Sequence, residues 1–248
     1  MALTWDLLRG DTSRWEDRFF YLKMIEQYGQ PALDVGCATG RLLLDYLQNG
    51  IDIDGVDISP EMLGLCTEKA SKMGLSPALY QQAMENLELP RRYRTILVPS
   101  SSFQLILDPE QAAQAMLRLH AHLQPGGALV MPFMRLWQAG DPMELDWELW
   151  SEKVRPEDGA LVRKWSRWRY EPQAQLEHTE DRYEVSLDGV VLASEHHRRS
   201  PATRDYTPSQ AVQLYRLAGF AEIRPLNGFT TDPARDEVRI FSVVGEKG

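Results

Sequence analysis

Hydrophobic and polar positions follow two different rhythms along this chain. From Pro31 to about Met134, short apolar runs alternate with stretches whose apolar residues recur every three or four positions. "ALDV" enters a turn and then "LLLDYLQNG", a helical pattern that Gly50 stops. "IDIDGVDI" alternates as a strand does. Ser59 then stands as an N-cap with Pro60 at the first helical position, and Met62, Leu63, Leu65 and Cys66 supply the buried side of that helix. "PALYQQAM" and "RTILVPS" read as further strands, and Asp108 with Pro109 opens a helix through His122. "QPGGALVMPFM" reads as a turn followed by a buried strand. This alternation predicts an α/β fold with a mostly parallel sheet, right-handed crossovers and helices on both faces. Ligands of such sheets sit beyond the carboxyl ends of the strands.

From about Asp146 the rhythm becomes that of an antiparallel meander, with turn signals at Glu157-Asp158-Gly159, Pro172 and Asp188-Gly189. The last is a short-loop hairpin signal. A helix from Pro208 to Ala218, stopped by Gly219, and two strands in "AEIRPLNG" and "EVRIFSVVGEK" close the chain. The expected organisation is a single domain, 1–248. It comprises an N-terminal helical cap (1–30), a core (31–145), an antiparallel insertion (146–206) and a closing helix with strands (207–248). Within the cap, Trp15, Phe19 and Leu22 fall at helical spacing and are expected to form a core stripe.

Composition narrows the partners. The chain has 248 residues, 43% of them hydrophobic, and a net charge of −9, a field that repels nucleic acid and acidic membranes. No apolar run approaches the ~18–20 residues of a membrane span. The first twenty residues mix acids and arginines without a signal core, so cytoplasmic location is the expectation. The two cysteines, Cys37 and Cys66, offer neither a disulfide framework nor zinc spacing, and no metal motif is present. "VRKWSRWRY" and "HHRRSPATR" are basic and aromatic, but the neighbouring "HTEDRYE" makes cross-strand ion pairing their expected use. His196 and His197, being adjacent in a strand, point to opposite faces. A small-molecule partner is what these features leave.

The chemistry concentrates in the turn after the first strand. A dinucleotide fingerprint, G-x-G-x-x-G begun at Gly36, fails because Arg41 stands where only glycine fits, and no Lys-Ser or Lys-Thr completes a phosphate loop. What stands is D-x-G-x-A-x-G, Asp34 to Gly40, in which Gly36 and Gly40 let backbone approach a ligand closely.

This spacing resembles the first motif of class I S-adenosylmethionine-dependent methyltransferases, acidic-x-G-x-G-x-G, with Ala38 in place of the middle glycine. The order of "GVDISPEML", "LYQQAMENLEL" and "AHLQPGGALVM" extends the resemblance to about Met134. It implies a Rossmann-like methyltransferase fold with a seven-stranded, mostly parallel sheet. It further implies that Asp34, Gly36, Cys37, Ala38 and Gly40 line the cofactor, with Asp34 at its methionine end. Asp57, at the tip of the second strand, would accept the ribose hydroxyls, with Ile58 and Met62 flanking the adenine. Ala83 occupies the place of an acid that usually meets the adenine amino group. Backbone at Ala83 and Met84 then meets the adenine edge, and Gln82 or Glu85 takes over the side-chain contact. Thr95 replaces another usual acid. An aromatic near Tyr21's position faces the methionine moiety in relatives. Pro99 and Ser100 would touch the cofactor, Phe103 and Gln104 would face the acceptor, and Arg135 would pair with an acceptor carboxylate.

The resemblance is to a group of small-molecule enzymes related to glycine/sarcosine and deoxyaminosugar N-methyltransferases. It implies in-line methyl transfer to a nitrogen or oxygen of a small metabolite, leaving S-adenosylhomocysteine. No catalytic residue is identified, since a base is needed only where the acceptor must lose a proton. Signatures of nucleic-acid methylation are missing: "VPSS" replaces [DNS]PP[YF], and no Pro-Cys nucleophile is present. The insertion is expected to be a lid over the acceptor or the surface of a homodimer. Two rivals stand: a non-catalytic S-adenosylmethionine-binding protein, favoured by the absent acid at Ala83, and a nicotinamide oxidoreductase, opposed by Arg41.

Overall fold

The computed structural model describes residues 2–235 and 237–248. Its helices are α1 (Ala2–Arg9), α2 (Glu16–Tyr28), α3 (Leu43–Gln48), α4 (Pro60–Lys72), α5 (Pro109–His122) and α6 (Pro208–Leu217). The strands are β1 (Ala32–Val35), β2 (Ile53–Asp57), β3 (Leu79–Gln81), β4 (Tyr93–Leu97), β5 (Leu123–Met134) and β6 (Glu144–Val154). They continue with β7 (Leu161–Glu171), β8 (Leu176–Leu187), β9 (Val190–Arg204), β10 (Ile223–Asn227) and β11 (Ile240–Glu246). The chain divides into two compact units, Ser13–Arg135 with Tyr206–Gly248, and Met1–Thr12 with Leu136–Asp205.

The larger unit holds a seven-stranded sheet in the order β10-β11-β5-β4-β1-β2-β3. Strands β1 to β5 pair in parallel, and β11 lies antiparallel between β5 and β10. All four residues of β1 are buried, as a central parallel strand covered on both faces requires. One face packs Met116, Tyr215 and Phe133; the other packs Tyr21, Met24, Leu43 and Cys66. The chain runs from β1 outward to β3 and then returns to β4 on the other side of β1, so the sheet reverses direction there, and ligand sites form at such points.

Local chemistry sets the helix starts. Ser59 accepts the Met62 N–H at 3.2 Å, and Asp108 accepts those of Glu110 and Gln111 at 2.8 and 3.0 Å. Thr207 and Gln210 form a reciprocal capping box. The Pro125-Gly126-Gly127 segment departs from the expected turn before a strand. β5 begins earlier, at Leu123, and its pairing with β4 jumps from Tyr93–Leu123 to Thr95–Ala128. The sequence PGG is therefore a bulge within one strand, where a side chain on Gly127 would meet the Arg94 carbonyl at 2.8 Å.

Of the expected core stripe of α2, Leu22 packs partly buried against the core, but Trp15 and Phe19 lie on the outer face. Trp15 and Phe19 are 42% and 54% exposed, while Asp17, Phe20, Tyr21, Met24, Ile25 and Tyr28 face inward. Trp15 is the N-cap and packs under the Arg41 guanidinium, and Phe19 lies under that of Arg18. Cations on their faces let these rings stay at the surface.

The smaller unit is the four-stranded antiparallel sheet β6-β7-β8-β9 with α1. The stretch read as a 1–30 cap thus divides, α1 joining this unit and α2 the larger one; the insertion begins at Leu136. Asp188 and Gly189, both with positive φ, make the β8–β9 hairpin turn. The basic segments pair across strands as anticipated, Arg167 with Glu180 at 2.8 Å and Arg163 with Glu152 at 2.6 Å. His196 and His197 stand opposite Arg182 and Asp181 and so occupy opposite faces. Asp205 closes the root of the unit, accepting the Leu136 N–H at 3.2 Å and the Tyr170 hydroxyl at 3.1 Å. No helix among the described residues is long and apolar enough to cross a membrane.

Candidate cofactor site

The site is built where β1 ends. Its last residues lead into a turn whose geometry only particular residues tolerate: Gly36 and Gly40 have φ of +77° and +85°. A Cβ on Gly36 would sit 2.8 Å from Ser102 Oγ, and one on Gly40 2.7 Å from Cys66 Sγ. Ala38 adopts φ +48°, left-handed backbone that costs a side-chain-bearing residue about 1–2 kcal/mol. That is the physical content of a glycine being usual at its place. Cys37 is buried, and burial pushes its thiol far up, away from reactivity.

Asp57, at the end of β2, ties this turn down. One carboxylate oxygen accepts the Ala38 N–H at 2.9 Å and the other accepts the Ser59 N–H at 2.8 Å. Each oxygen keeps a lone pair for another donor. Ile58 beside it is 68% exposed and Met62 is half-buried, both on the rim.

Two buried oxygens beside this turn have no hydrogen-bond partner, Tyr21 Oη and Asp34 Oδ1. Tyr21 is fully buried and Asp34 is 2% exposed. Burial raises the Asp34 carboxyl to about 7; the Arg41 guanidinium opposes that rise, while Asp57 and Asp17 add to it. Burial likewise raises the Tyr21 hydroxyl, keeping it a neutral donor. Leaving a buried polar group unpaired costs about 1–3 kcal/mol, so this pair marks a place built for something polar.

The helix that carries Tyr21 is fastened to the turn. Arg41 forms a two-pronged ion pair with Asp17 at 2.5 and 3.0 Å. Arg18 does the same with Asp45 at 2.7 Å on both prongs, and the Tyr46 hydroxyl donates to the Arg18 carbonyl at 2.6 Å. At its other end, Thr95 donates to the Gly29 carbonyl at 2.8 Å. The hydroxyl that replaces the usual acid on β4 therefore anchors α2.

Beyond β3, Ala83 precedes a single 3₁₀ turn, Met84–Asn86. Gln82 does not reach toward a ligand: its amide closes on the Glu88 backbone at 2.8 and 3.1 Å. After β4, Pro99 is buried and Ser100 is exposed with φ +60°. Sequence reasoning missed Ser102, which donates to the Pro99 carbonyl at 2.9 Å and borders Gly36. Three consecutive serines give no basis for choosing it.

Phe103 and Gln104, read as acceptor-facing, are built into the core instead. Phe103 is 1% exposed and packs edge-on to Phe133 and beside Tyr206. The Gln104 amide accepts the Met134 N–H at 2.7 Å and donates to the Met134 carbonyl at 3.0 Å. Arg135 follows, half-buried, its N–H bound to the Arg239 carbonyl at 2.8 Å. Among the described residues no cluster of metal-ligating side chains occurs.

Residues 32–127, from β1 through the β5 bulge, match the methyltransferase domain family. Over these residues the chain carries a methyltransferase domain, in a fold shared with S-adenosylmethionine-dependent enzymes. A protein of Geobacillus sp. (strain WCH70) named as a methyltransferase is 25% identical over 229 residues, 90% of this chain and 89% of that one. An S-adenosylmethionine-dependent methyltransferase from Clostridium acetobutylicum superposes with TM-score 0.80 at 16% identity, covering 99% of this chain and 96% of that one. The sugar N-methyltransferase KedS8 from Streptoalloteichus does so with TM-score 0.73 at 22% identity, covering 96% and 89%. The methyltransferase's open groups fit its cofactor. An amino-acid end carries an ammonium and a carboxylate, which an orphaned carboxylate oxygen and an orphaned hydroxyl complement.

Proposed function

We propose that this methyltransferase methylates a nitrogen or oxygen of a small metabolite, with amino sugars the first class to examine. The carrying observation is the pair of unpartnered buried oxygens, Tyr21 Oη and Asp34 Oδ1, beside a turn whose glycines have positive φ and no space for a side chain against Ser102 and Cys66. In this reading Asp34 receives the cofactor's ammonium and Tyr21 donates to its carboxylate. Asp57 takes the ribose hydroxyls on its free lone pairs, Ile58 and Met62 flank the adenine, and backbone at Ala83 and Met84 meets its edge. Gly36, Cys37, Ala38 and Gly40 form the wall, closed by Pro99 and Ser100. Arg135, at the end of β5, is the acceptor-side cation.

S-adenosylmethionine, when bound, supplies a methyl group on a positively charged sulfur. The chain's part is alignment and exclusion of water, which can lower a barrier by several kcal/mol without a nucleophile of its own. A neutral amine acceptor needs no base before attack. The sugar N-methyltransferase likeness supports an amine, and the negative overall charge supports a small-molecule acceptor over nucleic acid.

The test is calorimetric titration with S-adenosylhomocysteine, with NADH as control, followed by a methyl-transfer screen over amino sugars, other amines and hydroxyl acceptors. Binding of the former alone, with turnover on one acceptor class, is expected. Binding without turnover on any acceptor would support the sensor or partner-subunit alternative. Failure of S-adenosylhomocysteine to bind would overturn the site.

A further inference from the structure

The buried ion pair between Asp17 and Arg41 joins two segments that each present one of the open oxygens. Asp17 precedes Tyr21 by four residues on α2, so the two side chains share a helix face. Arg41 follows Gly40 directly, and its guanidinium is the cation whose field acts on Asp34. The pair's side chains are only 12% and 7% exposed, and its two prongs fix the fork in direction as well as distance. Trp15 covers the guanidinium from outside.

We propose that Asp17 and Arg41 are a positioning pair, in which Asp17 holds the Arg41 guanidinium beside Asp34 and fixes the helix face that carries Tyr21, so that the two open oxygens together accept a cationic amino-acid end. The inference rests on the assignment of Asp34 and Tyr21 to the cofactor's amino-acid end. Neither member of the pair need touch the ligand.

The charged and titratable groups around Asp34 come from every neighbouring element. Asp17 and Tyr21 lie on α2, Cys37 and Arg41 in the turn, Tyr46 on α3 and Asp57 on β2. The Leu43 N–H supports the carboxylate from α3. Arg41 is the one cation in this set and exerts the largest charge effect on Asp34, larger than that of Asp17. Releasing Arg41 therefore outweighs the direct loss of Asp17's own charge.

The experiment measures S-adenosylhomocysteine affinity from pH 5.5 to 8 for the full chain and for Asp17→Asn, Arg41→Met, the double variant and Asp34→Asn. The wild type should weaken below about pH 7, where Asp34 takes up a proton. Asp17→Asn and Arg41→Met should each move that midpoint upward and weaken binding several-fold at pH 7, and the double variant should match Arg41→Met alone. Arg41→Lys, which keeps the charge but loses the fork, should hold the midpoint better than Arg41→Met; Arg41→Lys and Asp17→Glu carry the test where a truncating variant does not fold. An unmoved midpoint in both single variants, or additive effects in the double variant, would overturn the pair's role while leaving the site intact. If Asp34→Asn binds with the wild-type pH profile, the site assignment fails, whatever the pair does.

Discussion

The carboxylate of Asp57 accepts the backbone N–H of Ala38 at 2.9 Å, so the tip of β2 holds the turn that follows β1. One side chain thereby serves the turn and faces the proposed ribose position. Replacing Asp57 with Ala should weaken S-adenosylhomocysteine binding by about 10–100-fold, the scale of losing charge-assisted hydrogen bonds. Asp57→Asn, which keeps one acceptor for the turn, should fall between. Calorimetry on both variants checks this; unchanged affinity in Asp57→Ala would remove the ribose assignment.

Ala38 carries left-handed backbone without being glycine. Ala38→Gly should raise stability by about 0.5–1 kcal/mol, the relief of strain exceeding the entropy that glycine gives back in the unfolded chain. Gly36→Ala should do the reverse, since its Cβ meets Ser102 at 2.8 Å and its φ is +77°. Urea denaturation of the two variants should show shifts of opposite sign.

Asp34 gives the protein a pH dependence of defined sign. Its carboxyl titrates near 7 in the folded chain against 3.8 when unperturbed, because burial disfavours the charge. The folded state thus binds more protons than the unfolded state between about pH 4 and 7. Asp34's contribution is fully present below the unfolded value and is lost as pH rises through 7, with a slope of up to about 1.4 kcal/mol per pH unit. Denaturation midpoints of the ligand-free protein at pH 5 and 8 should differ less in Asp34→Asn than in the wild type.

Gln104 makes two bonds to Met134 from a fully buried position. Gln104→Leu should cost about 1–3 kcal/mol by orphaning a backbone N–H and a carbonyl. Cofactor affinity should change little, because the side chain clamps β5 from within the core. A large loss of S-adenosylhomocysteine binding at unchanged stability would return Gln104 to the site.

The sequence by itself determined the alternating core, the meander, the helix starts at Ser59, Asp108 and Pro208, and the glycine turn that begins at Asp34, with Asp57 at the tip of the second strand. These are local properties: periodicity, capping and φ tolerance are set by residues a few positions apart. Only the tertiary structure decided which face of α2 is buried, because cations from elsewhere along the chain or around the helix could cover Trp15 and Phe19. It also decided that Gln82 closes on its own loop, that Phe103 and Gln104 belong to the core, and that Ser102 borders Gly36. A polar side chain reads the same in a string whether it meets solvent, ligand or a backbone thirty residues away. Arg41 shows the difference most directly: the sequence used it to reject one cofactor, and the fold gave it Asp17 to hold.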